Sequence, residues 1–424
     1  MELPRGMKDF EPDELAKIEL VREKFFQTAK LFGFKLMDPS PIELISTIEA
    51  KSGPAIRDEI YFFKDKADRE VALRFDFTIG LTRYVVSQKS LKLPAKFASF
   101  GGVWRYDEPQ RGRYRFFHQW NVEIYGKQSI ESETEVVEFT SRLFDNLNLK
   151  NIIIDINNRT FVQSYINKTL GKSDQKVIGD ILKAVDKTQK KKKDEILKEY
   201  AQKGYQKEKL TQVLDFSTIK GTPDEIERKF DTKGLEGWSE LKQLYDSLLN
   251  KDVKNARINF AIVRGLDYYS GMVFEVFDKT SDLGALAGGG RYDSLTKALG
   301  REDIGATGVA GGVERIILTM EEQNVAKIEK KQIISVLYVN EEMQRHATRL
   351  ASQLRQKQIS IDIDLLGRSL KKQMEVASES EFTIIVAPKE FQDNSVVLRK
   401  MKDGSETKIK IEKLLSDPKS ILNS

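Results

Sequence analysis

The sequence predicts a protein of mixed strands and helices that is divided into two or three domains, and three observations support this. The chain has 424 residues, which is more than one hydrophobic core usually organises. Residues 93–126 read as two strands joined by a long basic loop. Residues 333–424 alternate strand-like and helical runs, a pattern typical of a small α/β domain.

The segments before residue 172 read as helices and strands. Residues 11–32 have helical periodicity and a charged face, which predicts a first helix. After the paired strands, residues 133–149 and 159–171 read as helices on either side of a short strand, residues 151–156.

The composition changes between residues 172 and 256, where the chain becomes lysine-rich and helical in pattern. We predict a separate, mostly helical insert there. Its lysine run, Lys190–Lys193, has two readings that the sequence leaves open: a solvated face, or a contact to an RNA backbone. Strand and glycine signals return at residues 257–315, and a helix and a charged linker follow.

The C-terminal region shows a regular order of elements. We predict a hairpin around Asp403 and a last helix at the end of the region. Before them, the strand-like runs are "IISVLYV", "ISIDIDLL" and "EFTIIVA", and the helices between them are predicted over residues 341–358 and 369–380.

Composition excludes several classes of site. The chain has no cysteine and only two histidines, so disulfides, thiolate metal sites and cysteine nucleophiles are excluded, and no zinc is expected. Any metal would be a hard cation held by carboxylates and phosphates. The net charge of +5 permits a polyanionic partner. No apolar run is long enough to span a bilayer and no signal peptide is evident, which predicts a cytoplasmic protein.

Three strand-like segments place ionic or polar side chains opposite an apolar face. An antiparallel sheet with one solvated face would explain each of them alone. Their number instead suggests that the polar faces line one shared cleft, because a buried charge without a partner is costly. The polar side chains are Arg74, Asp76 and Thr78 in the first segment (residues 71–78), Gln119, Asn121 and Glu123 in the second (116–125), and Arg264, Asp267, Tyr268 and Tyr269 in the third (263–277).

The loop between the paired strands, "RYDEPQRGRYR", carries four arginines: Arg105, Arg111, Arg113 and Arg115. Arginine is the usual residue for bidentate contact with a phosphate. A solvated hairpin tip would also explain the loop. Arg105, however, stands at a strand end rather than at the tip, which favours a bound anion there.

Two glycine-rich stretches follow, "GGGRYD" at residues 288–293 and "GATGVAGGVERI" at 305–316. Such glycines allow a backbone to approach a nucleotide, and they equally allow a strand to pack closely on a helix. Neither stretch matches the GxGxxG or P-loop pattern, so nucleotide binding by those routes is disfavoured.

These motifs together resemble the class II aminoacyl-tRNA synthetases. The segment "FGGVWRYDEPQRGRYRFFHQWNVEIYG" resembles motif 2 and "GVAGGVERI" resembles motif 3. The stretches "PRGMKDF", "RGLDYYSG" and "GGGRYD" narrow the resemblance to the histidyl-tRNA synthetase family, and "GRSLKKQ" is similar to part of the anticodon-binding domain of class II enzymes.

The resemblance implies an architecture. It implies an α+β catalytic domain over residues 1–171 plus 257–326, with a six- or seven-stranded antiparallel sheet of the class II synthetase fold. It further implies a helical insertion domain over 172–256 and a C-terminal α/β anticodon-binding domain over 332–424. The partners it implies are ATP with Mg²⁺, L-histidine, tRNA(His) and a second copy of the chain, joined through motif 1.

The resemblance also implies roles for individual residues. Arg264 and Arg105 are the expected catalytic residues. The expected ATP-binding residues are Arg105, Arg113, Arg315, Glu314 and Asp107. The expected histidine-binding residues are Asp76, Thr78, Gln119, Glu123, Arg264, Tyr268 and Tyr269. The expected contacts to the tRNA acceptor end are Gln110 and Arg111. No protein ligand is assigned to Mg²⁺, which is expected to bind through the ATP phosphates.

The implied reaction joins histidine to ATP as histidyl-adenylate, releases pyrophosphate, and passes histidine to the 3′ end of the tRNA. Arg264 would lie between two anions, the substrate carboxylate and the α-phosphate. A structural ion pair with Asp267 or Glu275 is the alternative for Arg264. His118 lies on the apolar face of its strand, which predicts a packed core residue rather than a catalytic base.

The sequence departs from the family pattern at motif 1. The expected proline position is taken by Ser40, between Pro39 and Pro41, which affects the expected details of the dimer interface. Three rival readings share the fold or its parts: the regulatory subunit of ATP phosphoribosyltransferase, a non-catalytic RNA-binding module, and a synthetase for threonine, proline or glycine.

Overall fold

The structure is a computed structural model that describes residues 2–109, 111–112, 114–171, 174–188, 191–263, 269–328 and 334–422. The chain divides into two units, residues 1–328 and residues 329–424, and each is described by itself. Within the described residues, no helix combines the length and the apolar character needed to cross a membrane.

The first unit contains a large mixed sheet and a smaller one. Its strands are β1 (Lys35–Leu36), β2 (Ile42–Leu44), β3 (Phe62–Lys64), β4 (Glu70–Leu73), β5 (Ala95–Trp104), β6 (Phe116–Gly126), β7 (Ile152–Asn158), β8 (Lys220–Gly221), β9 (Ala256–Asn259), β10 (Met272–Asp278), β11 (Ala287–Arg291) and β12 (Gly305–Gly312). In the described residues the large sheet has nine strands in the order β1-β5-β6-β12-β11-β10-β7-β9-β8, and β2-β4-β3 form the small sheet.

Helices flank these sheets. They are α1 (Pro12–Leu31), α2 (Ile45–Ser52), α3 (Thr78–Ser87), α4 (Ile130–Asn146), α5 (Arg159–Leu170), α6 (Gln175–Lys187), α7 (Lys193–Gln202), α8 (Lys207–Phe216), α9 (Pro223–Glu227), α10 (Trp238–Asn250), α11 (Asp293–Ala298) and α12 (Val313–Glu322), with a 3₁₀ helix at Pro54–Glu59.

The two faces of the large sheet differ in chemistry because side chains alternate along a strand. On β6, Trp120, Val122 and Ile124 point into the main apolar core, which also contains residues of α1 and α4. Gln119 and Glu123 lie on the opposite face, together with a second apolar cluster. The sheet therefore carries a polar row on one side, while its other side is packed against helices.

The fold class predicted from the sequence is confirmed, and the sheet is larger than expected. Its central strands, β5-β6-β12-β11-β10-β7, are antiparallel. Two short parallel pairings, β1 with β5 and β7 with β9, extend the sheet at its edges, and β8 pairs with β9. The paired runs of β1 and β8 are only two residues long, too short for periodicity to reveal them.

The helices between residues 175 and 250 share an apolar core with the sheet. Phe216 of α8 packs on Phe260 with ring centroids 4.6 Å apart, and Phe161 of α5 lies 4.8 Å from the same ring. Lysines of this segment form ion pairs: Lys191 and Lys203 both contact Glu199, at 3.2 and 3.6 Å. The assignment of residues 172–256 as a separate domain stays a prediction.

One predicted strand is shorter than the alternation of residues 71–78 suggests. The strand β4 ends at Leu73, and Thr78 already begins α3. The carboxylate of Asp76 accepts a hydrogen bond from the Ile79 N–H at 3.2 Å, which stabilises a helix start and not a strand. The prediction of a strand over 74–78 is therefore wrong, because a cap and a short turn can imitate the alternation.

The second unit is the α/β domain that the sequence predicts. In the described residues its sheet has the order β14-β13-β15-β16-β17, and its apolar core lies between that sheet and the helices. The strands are β13 (Ile334–Tyr338), β14 (Ile361–Ile363), β15 (Phe382–Val386), β16 (Ser395–Lys400) and β17 (Glu406–Lys410). The helices are α13 (Glu341–Gln356), α14 (Leu370–Val376), α15 (Pro388–Gln392), α16 (Ile411–Ser416) and α17 (Pro418–Leu422), with a 3₁₀ helix at Ala377–Glu379.

Candidate active site

A continuous row of hydrogen-bonded polar side chains runs along β6. Gln119, Asn121 and Glu123 are 3%, 0% and 1% exposed. The amide of Gln119 donates to the Asn121 Oδ1 at 2.6 Å, and the amide of Asn121 donates to the Glu123 Oε1 at 3.1 Å. Because each buried polar group finds a partner in the row, the cost of burying it is offset.

The carboxylate of Glu123 is the most heavily bonded group in this row. Its Oε1 accepts from the hydroxyl of Thr78 at 2.7 Å as well as from Asn121. Its Oε2 accepts from the hydroxyl of Tyr292. These donors come from α3, β6 and the end of β11, so three elements together fix the direction of one carboxylate.

The two tyrosines beside Glu123 are held in their neutral form. Burial, and next the charge of Glu123, raise the pKa of Tyr292 well above its usual value of 10. Burial raises the pKa of Tyr125 in the same way, and its hydroxyl lies 3.0 Å from that of Thr82. Tyr292 therefore remains a hydrogen-bond donor at any physiological pH.

Two glycines make room for the side chains of this pocket. Glu123 pairs with Gly308 across β6 and β12, and a β-carbon built on Gly308 would overlap the Glu123 carboxylate. Gly290 of β11 likewise faces the ring of Tyr269, where a β-carbon would come within 2.9 Å. The glycine-rich strands thus form a floor on which a carboxylate and a phenol can lie.

Arg105 marks the other end of the row. Its Nε donates to the carbonyl oxygen of Phe75 at 3.0 Å, and its Nη2 donates to the Oε1 of Gln119 at 3.1 Å. The guanidinium carbon lies 5.2 Å from the centroid of the Phe117 ring. Arg105 is therefore oriented by a carbonyl, an amide and an aromatic face, and it connects the row to the neighbouring cleft.

This cleft has a volume of about 560 Å³. Arg315 enters it from the start of α12, where its Nη1 donates to the carbonyl oxygen of Ala285 at 3.0 Å. The charged or amide side chains that line the cleft are Arg105, Gln119, Asp186, Glu275, Asp282, Glu314 and Arg315, and its glycines are Gly112, Gly284, Gly288, Gly311 and Gly312. Its two arginines can contact phosphate oxygens and its glycines leave room for them, while its four carboxylates favour a cation bound together with the phosphates.

Glu314 has a bonding role within the protein. Its Oε1 and Oε2 accept from the backbone N–H of His118 at 2.8 and 3.1 Å, and Oε1 also lies 3.0 Å from the ring Nδ1 of that residue. The His118 ring packs edge-on against Phe10 and Phe116. His118 thus packs against aromatic rings, but it is half-buried and bonds to Glu314 rather than lying in the apolar core as predicted, and it holds the first turn of α12.

Family models match both units of the chain. A model of histidyl-tRNA synthetase matches residues 6–316, and a model of an anticodon binding domain matches residues 333–417. The chain belongs to the histidyl-tRNA synthetase family. Its relatives in this family include the histidine–tRNA ligase of Pyrococcus furiosus, which is 32% identical over 437 residues and 100% of both chains.

A second histidyl-tRNA synthetase relative, the histidine–tRNA ligase of Sulfurisphaera tokodaii, is 34% identical over 427 residues, or 99% of this chain and 98% of its own length. The crystal structure of histidyl-tRNA synthetase from a Nostoc species has a TM-score of 0.80 at 21% identity, and the match covers 100% of this chain and 98% of that one. That likeness supports the fold across both units.

The structure brings several of the predicted site residues together. Arg105, Gln119, Glu123 and Thr78 belong to one hydrogen-bonded row, and Tyr269 is buried against its glycine floor. Arg315 and Glu314 line the adjoining cleft. Asp76 lies in the turn before α3, and Asp107 is half-buried in the motif 2 loop, where its carbonyl accepts from Arg115 at 3.1 Å.

One other predicted site residue that the structure describes lies at the surface. Arg111 is 69% exposed and forms an ion pair with Glu322 at 3.0 Å. Arg264, Tyr268, Gln110 and Arg113 fall outside the described residues. The alternative of an ion pair between Arg264 and Asp267 or Glu275 falls outside them for the same reason.

Two members of the row have no role in the sequence-based prediction. Asn121 is expected on the polar face without a function, and Tyr292 is noted only as part of a glycine motif, yet both bond to Glu123. The signal for Asn121 is the period of two along β6. For Tyr292 the signal is an aromatic residue directly after "GGGR", where the glycines leave space for a side chain from a neighbouring strand.

Proposed function

We propose that the cleft and the polar row of residues 1–328 perform both steps of the histidyl-tRNA synthetase reaction. In the first step histidine reacts with ATP to give histidyl-adenylate and pyrophosphate. In the second step a ribose hydroxyl at the 3′ end of tRNA(His) attacks the histidyl carbonyl, the bond to the phosphate breaks, and AMP leaves. The observation that supports this use of the site is the row itself, because its hydrogen bonds join a fixed arginine to a fixed carboxylate through Gln119 and Asn121.

The first step is an in-line attack. An oxygen of the histidine carboxylate bonds to the α-phosphorus of ATP as the bond to the pyrophosphate oxygen breaks, and negative charge grows on the α-phosphate oxygens. We assign Arg105 to this charge, because its guanidinium is already oriented by Phe75 and Gln119 and needs no reorganisation. Arg264 is assigned the place between the carboxylate and the phosphate on the resemblance of its motif.

Recognition of the imidazole is assigned to Glu123 and Tyr269, with Tyr268 beside them. A neutral imidazole presents one N–H donor and one acceptor nitrogen. A carboxylate and a phenol match this pair, and an analogue without those atoms would leave buried polar groups unpaired. The three hydrogen bonds to Glu123 fix the direction of its carboxylate before the ligand arrives.

The substrate ammonium is assigned to Asp76, Thr78 and Gln119, of which Thr78 bonds to Glu123 and Gln119 bonds to Arg105. Thr78 and Gln119 are already hydrogen-bonded within it, and Asp76 is anchored to the first turn of α3. The three side chains would orient the amino acid with its carboxylate toward Arg105, and such orientation is the main requirement for this chemistry.

The ATP phosphates are assigned to the cleft lined by Arg105 and Arg315, with Arg113 from the motif 2 loop. We place Asp107 and Glu314 in the wall of this site, Glu314 through its bonds to His118. Mg²⁺ would enter with ATP and neutralise phosphate charge, held by phosphate oxygens. Among the described residues, no three carboxylate or imidazole side chains gather closely enough to hold a metal ion by themselves.

The C-terminal unit is assigned to the anticodon. A recess of about 300 Å³ lies beside β13 and β14, and Asp362, Asp364, Arg368 and Gln373 are in its wall. The Gln373 amide is fixed by both backbone groups of Tyr338, at 3.0 and 3.1 Å. Unstacked bases offer hydrogen-bonding edges that such groups can read. Gln110 and Arg111 of the motif 2 loop are assigned to the acceptor end.

We also propose a homodimer formed through motif 1, in the cytoplasm. Apolar side chains are exposed on the short strands of this region, which is typical of a surface that another chain covers. Ser40 takes the expected proline position and closes a turn, with its hydroxyl donating to the Ile42 carbonyl at 2.7 Å. The exposed side chains are Leu36, Ile42, Leu44, Phe62 and Phe63.

The test is amino-acid-dependent exchange of pyrophosphate into ATP, measured with each of the standard amino acids. We expect exchange with histidine alone, and a loss on the order of 10³-fold in Arg264→Ala and in Arg105→Ala. The exposed Glu208→Gln on α8 is the matched control. Folded, Mg²⁺-supplied protein without exchange for any amino acid would overturn the proposal and favour a regulatory subunit.

A further inference from the structure

A second buried charge cluster lies next to the histidine pocket and is not used by the reaction described above. Its centre is Arg291 at the end of β11, only 12% exposed in its side chain. One terminal nitrogen of Arg291 lies 3.0 Å from Glu133 on α4 and 3.0 Å from Glu240 on α10, and Nε lies 3.7 Å from Asp293. We name these four residues the Arg291 anchor.

The Arg291 anchor holds the end of the segment that carries the predicted site residues 264–269. The Ser270 N–H donates to the Arg291 carbonyl at 2.9 Å, and the Ser270 hydroxyl donates to the Asp293 carboxylate at 3.0 Å. A β-carbon built on Gly271 would overlap the Arg291 guanidinium. The guanidinium therefore lies against the backbone of Gly271, and a larger residue there would have to displace it.

The next residue toward the pocket is Tyr269. It is 7% exposed and packs on the floor formed by Gly290, the residue before Arg291. Tyr292, the residue after Arg291, donates to Glu123. The anchor is thus joined to both sides of the imidazole site, through Ser270 and Gly271 to Tyr269 and along the chain to Tyr292.

We propose that the Arg291 anchor is a positioning device, in which Glu133 and Glu240 fix the Arg291 guanidinium against Gly271 so that Tyr269 is held at the wall of the histidine site. This inference rests on the proposed function, because it takes Tyr269 to be a histidine-binding residue. None of the four anchor residues contacts the substrate in this assignment. They act through the backbone of residues 270–271.

Glu240 adds a connection that no sequence pattern predicts. It lies on α10, within the predicted insert, and its other oxygen accepts from the Asn158 amide at 2.8 Å. Asn158 caps α5 by accepting from the Thr160 N–H at 2.9 Å. Residues of the insert therefore take part in orienting the histidine pocket, and a substitution on α10 should alter histidine binding without touching the cleft.

The first experiment is a double-mutant cycle on the full chain with Gly271→Ala and Arg291→Ala. Gly271→Ala should raise the KM for histidine about tenfold, because the new methyl group displaces the guanidinium. Arg291→Ala should do the same, and the double variant should be no worse than Arg291→Ala alone, since the overlap is gone. Two controls separate a loss of positioning from a general loss of folding. They are the KM for ATP of each variant and the thermal midpoint of Arg291→Lys.

The second experiment uses Glu240→Gln, a half-exposed position where folding is expected to survive, with exposed Glu208→Gln as the matched control. We expect a rise in the KM for histidine of roughly threefold or more in Glu240→Gln and none in the control. Two results would overturn the inference, provided that the wild type still shows exchange with histidine. One is a KM for histidine in the double variant that equals the product of the two single effects, and the other is an unchanged KM for histidine in Glu240→Gln. Absence of that wild-type exchange would instead overturn the proposed function.

Discussion

Two glutamates ten residues apart are buried to the same extent but differ in the hydrogen bonds that their carboxylates accept. Glu123 on β6 and Glu133 on α4 are both 1% exposed. The Glu123 carboxylate accepts hydrogen bonds from Thr78, Asn121 and Tyr292. The Glu133 carboxylate has no such set of donors among the described residues: the Met272 N–H lies beside it, and the nearest positive charge is Arg291 at 3.0 Å.

The difference shows how burial alone leaves the chemistry of a carboxylate undecided. Hydrogen bonds to a carboxylate stabilise its charged form and fix its direction, which a binding site needs. Burial without them favours the neutral form, so burial raises the pKa of Glu133 to about 7, although Arg291 acts in the opposite direction. The Glu123 carboxylate is therefore suited to binding a ligand. The Glu133 carboxylate is suited to an ion pair with Arg291 whose strength depends on pH.

The largest effect is expected from Glu123→Gln. The amide has the size of the carboxylate, but it loses the charge and one acceptor in a site where three donors converge. We expect kcat/KM for histidine to fall on the order of 10²- to 10³-fold in pyrophosphate exchange. The KM for ATP should change little, because the phosphate cleft lies at the Arg105 end of the row.

The matched variant is Glu133→Gln, measured in the same assay. If both substitutions lowered kcat/KM for histidine equally, the distinction between Glu123 as a histidine-binding residue and Glu133 as a residue that positions Arg291 would be wrong. An unchanged KM for histidine in Glu123→Gln would likewise remove Glu123 from the pocket.

The second effect concerns stability against pH and arises from Glu133. Its pKa is about 7 in the folded chain against 4.5 as its ordinary value. Below pH 4.5 both states hold the proton, so the stabilisation from the neutral buried form is fully present. As pH rises toward 7 the unfolded chain releases the proton first, and the free energy of unfolding falls, by on the order of 3 kcal/mol in all.

Thermal midpoints of wild type and Glu133→Gln between pH 5 and 8 test this directly. The variant stays neutral at every pH, so it should gain stability relative to wild type as pH rises, and the gain should stop above about pH 8. Glu131→Gln, nearby on the same helix and exposed, should show no such trend. A midpoint difference that is constant across the range would show that Glu133 is ionised throughout.

The polar row is predictable in part because it follows a local rule. The period of two along β6 is enough to place Gln119, Asn121 and Glu123 on one face, and the folded chain joins them by hydrogen bonds. Thr78 is assigned to the same cleft by its alternation, but on a strand that does not exist, because Asp76 caps α3. Thr78 nevertheless bonds to Glu123 from the start of the helix, and its role in binding histidine stays a prediction.

The Arg291 anchor is not predictable from one sequence. Its four residues come from α4, α10, β11 and α11, and no periodicity relates positions so far apart. The sequence also does not distinguish a buried glutamate in a helix from an exposed one. Only the packing of the chain reveals that Glu133 faces Arg291 while Glu131 faces solvent.

A smaller effect is expected from Tyr292→Phe, which sharpens the comparison by removing a single donor from Glu123. The ring stays in place and one hydrogen bond to a charged acceptor is lost, so kcat/KM for histidine should fall about tenfold. Tyr165→Phe, where a ring stacked on Phe216 loses its hydroxyl, is the control and should retain its rate. A loss as large as that of Glu123→Gln would indicate that Tyr292 contacts the substrate itself.

The smallest effect is expected where a charge pair is exposed. Arg111 and Glu322 meet at 3.0 Å with side chains 69% and 35% exposed, so solvent screens the attraction and Glu322→Gln should change stability by less than about 0.5 kcal/mol. Pyrophosphate exchange in Glu322→Gln should equal that of wild type. The pair matters for the second step, because a released Arg111 can contact an RNA phosphate, and the KM for tRNA should fall by up to roughly threefold.

Arg111→Ala should move the KM for tRNA in the opposite direction and weaken its dependence on salt, since one phosphate contact fewer releases one counterion fewer. If the pair were structural, Glu322→Gln and Arg111→Ala would remove the same interaction and shift the KM for tRNA in the same direction. Shifts in opposite directions would therefore indicate that Arg111 contacts the RNA. Equal shifts would mean that the pair holds the motif 2 loop. The exposed Arg111–Glu322 pair would then position a segment of the chain as the buried Arg291 anchor does. In that case burial would not be the property that allows an ion pair to position a functional segment.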